Sequence, residues 1–162
     1  MPVDDRLEQT LLRLEPALGR ASHQWWIISS AAVALHMKGG VVVGDVDVLL
    51  DERDVAVVFA ALDIVPATGQ GTELFRSRAF GTWLGAPLAV ELFAGFELCE
   101  AGRWSQIVPL SRIEITLGSA RTFVPDAREL AQMLLRFGRD KDRRRAALLS
   151  ASCPFPSRSG IA

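Results

Sequence analysis

Two aspartates stand one residue apart, Asp45 and Asp47, inside Gly44-Asp45-Val46-Asp47-Val48-Leu49-Leu50, a stretch that otherwise reads as a buried β-strand. Side chains at i and i+2 of a strand leave from one face, with Cα atoms roughly 6.6 Å apart. Both carboxylates can therefore lean onto a shared divalent cation. Two like charges on an apolar strand repel each other and are costly to bury, so a cation, hydrogen bonds or solvent must compensate them. The same pair at a water-facing strand start, after Gly39-Gly40 and Gly44, would be a solvated turn.

The flanking chain bears on that choice. Upstream, the apolar run Trp25-Trp26-Ile27-Ile28 ends in Ser29-Ser30 and is followed by Ala31-Ala32-Val33-Ala34-Leu35-His36-Met37, which reads as a short helix with a serine cap. Downstream, Pro87-Leu88-Ala89-Val90-Glu91-Leu92-Phe93 is an apolar strand with one acid in its middle. If that strand lies beside the acidic one, Glu91 becomes the third carboxylate of a cluster. If it does not, Glu91 is an outward-facing residue of a half-exposed strand.

The order of strand, small-residue turn at Ser29-Ser30, helix, acid-x-acid strand at Asp45 and Asp47, and a third acid at Glu91 resembles the nucleotidyltransferase superfamily of the polymerase-β type. A second patch, from Glu129-Leu130 to Gly138-Arg139-Asp140-Lys141-Asp142, resembles the C-terminal segment of small bacterial AbiEii-like members. The resemblance runs from about Trp25 to Leu149. It implies an α/β (α+β) fold, with a mixed sheet flanked by helices and further helices at the C-terminus. It also implies transfer of a nucleoside monophosphate from an NTP to an acceptor, with two Mg2+ ions held during turnover by Asp45, Asp47 and Glu91. Ser29, Ser30, Arg76 and Lys141 then become candidate nucleotide contacts. The acceptor is left open between a small molecule, a tRNA and a protein.

Two positions depart from the superfamily pattern. Members usually carry Gly-Gly or Gly-Ser at the turn, where this chain has Ser29-Ser30; a Cβ there narrows the approach of phosphates and disfavours positive φ. A lysine that relatives often place on the late helix falls at Leu134. These departures favour a second reading, a catalytically degenerate binding module belonging to a toxin–antitoxin or defence pair with a cognate partner protein. A metal-dependent phosphohydrolase is a weaker third reading, since the sequence offers no His-Asp pair or clustered histidines.

Composition sets outer bounds. The chain has 162 residues and a formal net charge of −1, a balance that supplies no general attraction to nucleic acid. Its length suits one domain, expected over 1–153, with a loose tail over 154–162. No apolar run approaches the roughly 18 residues that span a bilayer, and the N-terminus lacks the order of a secretory signal, so the expected location is the cytoplasm, with no membrane partner. Cys99 and Cys153 are too few and too far apart for a zinc site; Cys99 is expected to be a buried thiol.

Helices are expected over Asp4 to Gly19, from Asp51 through Leu62, over Asp126 to Phe137 and over Asp140 to Ser150. Short strands are expected near Thr72 to Arg78, Ala79 to Leu84, Leu88 to Phe93, Ile107 to Leu110, Ile113 to Leu117 and Ala120 to Val124. Arg76 and Arg78 alternate on one of these, so both could face a triphosphate or solvent. His36 reads as a satisfied histidine, and Arg139, Arg143, Arg144 and Arg145 as a solvated helical face.

Overall fold

The computed structural model describes residues 3–67 and 71–152. Cys153 and the expected tail lie outside the described residues. Helix α1 (Asp5–Leu18) opens with the Asp4 carboxylate accepting from the Arg6 backbone N–H at 2.9 Å, and its leucines at 7, 11, 14 and 18 are buried, as their spacing requires. Strand β1 (Trp26–Ile28) leads into α2 (Ser29–Met37), and β2 (Asp45–Leu50) carries the acid pair. A 3-10 turn (Glu52–Asp54) and α3 (Val55–Ala61) follow. Then come β3 (Phe75–Arg76), β4 (Ala79–Trp83), β5 (Ala89–Ala94), β6 (Glu97–Glu100), β7 (Arg103–Gln106), β8 (Ile113–Leu117) and β9 (Ala120–Val124), before α4 (Ala127–Phe137) and α5 (Asp140–Ser152).

Four strands form a mixed sheet in the order β1-β2-β5-β4, with β2 and β5 parallel and the outer pairs antiparallel. Parallel neighbours need a crossover, and the segment containing α3 supplies it. The register decides which face is which. Val46, Val48, Val90 and Leu92 are fully buried on one face, and Asp45, Asp47 and Glu91 alternate with them onto the other. Helix α3 covers the apolar face: Gly81 pairs with Leu92, and its missing side chain makes room for the Phe59 ring. Helices α2, α4 and α5 pack on one another, and α1 packs on α3 and β9.

The expected elements recur with three corrections. Ser29 and Ser30 form the first turn of α2 itself; the N-cap is Ile28 and no side chain caps the helix. Thr72 to Arg78 shortens to β3, because the Thr72 hydroxyl accepts from the Leu74 and Phe75 N–H groups and holds a turn there. The segment 107–110 forms no strand; the hairpin lies earlier, as β6 and β7 around Ala101-Gly102, both at positive φ. That two-residue turn accounts for the tight reversal, and an alanine in its first place hid it from a search for Asn-Gly or Gly-Gly. Cys99, on β6, is half-buried rather than enclosed. His36 is satisfied, its Nε2 donating to the Pro125 carbonyl at 2.7 Å.

A Cβ on Gly81 would stand 2.6 Å from the Phe59 Cε2 atom, inside the packed layer. Gly81→Ala is therefore expected to destabilise the fold by about 1–3 kcal/mol through overpacking. Gly44→Ala, whose Cβ meets nothing within 4 Å, is expected to change stability by less than about 0.5 kcal/mol. Urea unfolding of both variants checks the contrast.

Candidate active site

Two strand registers assemble the site from three strands. Asp47 of β2 is paired across the sheet with Glu91 of β5 on one side and with Ile28 of β1 on the other. Asp45 sits two residues before Asp47 on the same face. One carboxylate oxygen from each of Asp45, Asp47 and Glu91 lies within 4.8 Å of the others. Because Ile28 is the last residue of β1, the chain enters α2 beside Asp47, and Ser29 and Ser30 become the floor of the same cleft. The structure brings these five residues to the lining of one cleft.

The cluster is electrostatically uneasy. Asp47 Oδ1 is buried without a hydrogen-bond partner among the described residues. Burial, then the neighbouring charges of Asp45 and Glu91, raise the Asp47 carboxyl to about 7, against a lowering pull from the Ser29 hydroxyl. Glu91 is also raised, first by burial and then by Asp45, while its contact with Asp47 and the charge of Lys141 pull it down. Asp47 is thus the group that retains a proton when nothing else balances the three acids.

Ser29 holds φ +58, the left-handed conformation that glycine adopts freely and a serine adopts at a cost of about 1 kcal/mol or more. The turn therefore keeps a glycine-like backbone despite its Cβ. The Ile28 side chain at the N-cap makes no hydrogen bond to the first turn of α2. The opening N–H groups of the helix are of the kind that anions satisfy.

The cleft, about 340 Å3 in volume, is lined on its far side by Arg76, Arg139, Lys141 and Arg145. Arg76 is held: it pairs with Glu97 and lies 4.2 Å over the Trp104 ring. Arg78 points elsewhere and pairs with Glu52 at 3.5 Å. Lys141 is exposed and close enough to Glu91 to influence its charge. Gly138 ends α4 at φ +74, so the chain turns and presents Arg139 and Lys141 to the cleft while Asp142 turns inward. Asp142 is fully buried, bonded to Arg139 at 2.6 and 3.1 Å and 4.0 Å from Arg145. Leu134 is buried in the core and presents nothing to the cleft.

Two cleft cations, Arg139 and Arg145, were read from sequence as part of a solvated face. Only the turn at Gly138 and the burial of Asp142 separate them from Arg143, which pairs with Asp140 in solvent. An aromatic wall was missed as well: Phe75, Phe96 and Phe137 have ring centroids 5.0 to 6.0 Å apart, and Phe80 and Phe93 continue it at 5.1 Å. Their sequence spacing is irregular, so no periodicity announced them. A His-Asp pair absent from the sequence reading also exists, His23 Nδ1 lying 3.2 Å from Asp54, but outside this cleft.

No protein-family model and no curated protein sequence matches the chain. Solved structures do. A candidate nucleotidyltransferase of Thermotoga maritima superposes with a TM-score of 0.71 at 20% identity, covering 84% of this chain and 87% of its own. The antibiotic-resistance factor ANT(2'')-Ia matches with a TM-score of 0.60 at 10% identity, over 92% of this chain and 85% of its own. The lincosamide antibiotic adenylyltransferase LnuA, in a lincomycin-bound structure, matches with a TM-score of 0.57 at 11% identity, over 93% of this chain and 99% of its own. At these identities the likeness establishes the fold, which is that of nucleotidyltransferases.

The Asp47 shift has a definite sign. Its carboxyl titrates near 7 in the folded chain and near 4 in the unfolded one, so the metal-free fold binds the extra proton. The stability tied to that proton is complete below about pH 4 and is lost as pH rises through about 7. In EDTA, the melting temperature of the wild type is expected to fall by several degrees between about pH 5 and about pH 8 relative to Asp47→Asn, a difference on the order of 2–4 kcal/mol. Thermal melts of the two proteins across that range check it. Equal slopes would locate the proton elsewhere.

Proposed function

We propose that this chain transfers a nucleoside monophosphate from an NTP to a hydroxyl-bearing acceptor, with Mg2+ as its metal. The observation that carries the reading is the converging trio of Asp45, Asp47 and Glu91, with the Asp47 Oδ1 atom buried and unpartnered. Such an atom fits a hard cation, which prefers carboxylate oxygens and would remove the repulsion within the trio. Asp45, Asp47 and Glu91 would hold it; when bound, the metal neutralises the triphosphate and lowers the proton affinity of the attacking oxygen.

The remaining chemistry belongs to the chain. The first-turn N–H groups of α2, at Ser29 and Ser30, receive the β- and γ-phosphates. Lys141 and the Arg139–Asp142–Arg145 group meet the charge that grows on the departing pyrophosphate. The acceptor oxygen forms a bond to the α-phosphorus as the bond from that phosphorus to the α–β bridging oxygen breaks. Glu91 takes the acceptor proton on a carboxylate oxygen, and its raised proton affinity suits it to the task.

The AbiEii-like kinship is part of this proposal and rests on Gly138-Arg139-Asp140-Lys141-Asp142, whose arginine and lysine face the cleft. The cytoplasm, where NTP is abundant, is the proposed location; no described helix is long and apolar enough to cross a membrane. The rival reading, a degenerate module that recognises a partner protein, draws support from the serine turn and from Leu134.

Calorimetric titration with a non-hydrolysable NTP and Mg2+ separates the two. Lys141→Ala is expected to weaken binding about tenfold, the loss of one charge-assisted contact to phosphate. Arg76→Ala, whose guanidinium is already engaged by Glu97, is expected to cost threefold or less. Ser29→Gly is expected to tighten binding by removing the Cβ from the path of the phosphates. Glu91→Gln is expected to abolish transfer. Absence of binding by the wild type at millimolar nucleotide would favour the degenerate module.

A further inference from the structure

The sheet face that carries the acids continues past them. Asp47 and Glu91 form one register row with Ile28; the next row along the strands is Trp26, Leu49 and Phe93. A second cleft, about 620 Å3 in volume, lies on this apolar row. It shares Phe93 and Phe96 with the acid-lined cleft, so the same two rings wall both chambers. The two rows are roughly 6.6 Å apart, the span of two strand residues. A molecule of moderate size seated on the second row can present a hydroxyl to the first.

The rim of the second chamber tells what kind of molecule fits. Its charged residues are already satisfied within the chain: Arg53 bonds Asp51 at 2.9 and 2.8 Å, and Glu52 pairs with Arg78 at 3.5 Å. Its other polar residues are Ser22, Gln24, Gln106 and His23. Buried Asp54 accepts from the Ser22 and His23 backbone N–H groups at 3.0 and 2.9 Å and lies 3.2 Å from His23 Nδ1. A carboxylate only accepts, so Nδ1 carries a proton, and Nε2 is left to bond a hydroxyl of a bound molecule. Glu97 and Asp142, which lie behind the acid-lined cleft rather than in its lining, likewise hold the arginines Arg76 and Arg139 that do line it. Beyond the three acids themselves, no carboxylate that lines either chamber among the described residues is left to bind a polycation.

We propose that the second chamber holds the body of the acceptor, and that the acceptor is an uncharged, polyhydroxylated small molecule with one flat apolar face. The apolar face rests on the half-buried Phe93 ring, beside the buried Trp26 and Leu49, while hydroxyl groups bond His23, Gln24 and Gln106. The occupant and the NTP bind together, since they occupy successive rows. Its role as acceptor rests on the transfer reading above; the chamber and its chemistry do not.

The test uses 4-nitrophenyl β-D-glucopyranoside and tobramycin as probes on the whole chain, read by calorimetry and by backbone amide shifts. The glucoside is expected to bind saturably at millimolar concentration, to shift amides around Leu49, Gly95 and Ile107, and to bind equally well with NTP and Mg2+ present. His23→Ala and Gln106→Ala are each expected to weaken it at least fivefold, and tobramycin is expected to bind at least tenfold more weakly. Gln106 is exposed, so that variant decides the matter if His23→Ala fails to fold. Failure of the glucoside to bind, unchanged affinity in Gln106→Ala, competition with NTP, or tighter binding of tobramycin would each overturn the proposal. If the glucoside binds as expected while NTP does not, the chamber stands and the transfer reading falls.

Discussion

The parallel pairing of β2 with β5 is the constraint on which the rest of the site depends. It sets Asp47 directly beside Glu91 and leaves Asp45 two residues away on the same face, so three negative charges share one apolar sheet. An unpaired buried carboxylate is costly, and burial beside Asp45 and Glu91 raises the proton affinity of Asp47 accordingly. The opposite face carries the compensation in hydrophobic burial: Val46, Val48, Val90 and Leu92 are sealed there, with Phe59 seated over Gly81. A one-residue slip of either strand would reverse both faces at once, turning the acids into the core and the valines into the cleft. Register and site are one specification.

The cationic side of the cleft is built differently, from one turn between two helices. Gly138 in the left-handed region stops α4, and the chain re-enters a helix with Asp142 directed inward. A fully buried aspartate has to be paired, and Arg139 and Arg145 pair with it from the cleft side. Lys141 is left to the solvent and to whatever anion arrives. The arrangement sets cations across the cleft from the acids with no ion pair between the two sets among the described residues.

Ser29 joins the two halves. A serine at φ +58 preserves the backbone path of a glycine turn while its hydroxyl tempers the proton affinity of Asp47. The departure from glycine is thus compatible with the turn geometry, and the cost is local strain. Leu134 is a different matter: it belongs to the core, and the cations that line the cleft from this side come from the residues that follow Gly138.

Much of this was written in local pattern. Apolar alternation around Asp45 and Asp47, the leucine spacing of α1 and the Asp126-led start of α4 specify their elements because periodicity and capping act over a few residues. The candidacy of Glu91 followed from its strand, but its partnership with Asp47 did not; that needed β5 to choose β2 as a neighbour across a crossover. The hairpin of β6 and β7 escaped because an alanine occupies a turn position that usually advertises itself with Asn or Gly. The aromatic wall, the separation of Arg139 and Arg145 from Arg143, and the His23–Asp54 pair were decided by tertiary structure alone. Sequence by itself determined which residues carry charge and which segments are strands or helices, because those depend on neighbours in the chain. Which charges meet, and what they enclose, depended on packing between segments distant in sequence, where register and burial select the partners.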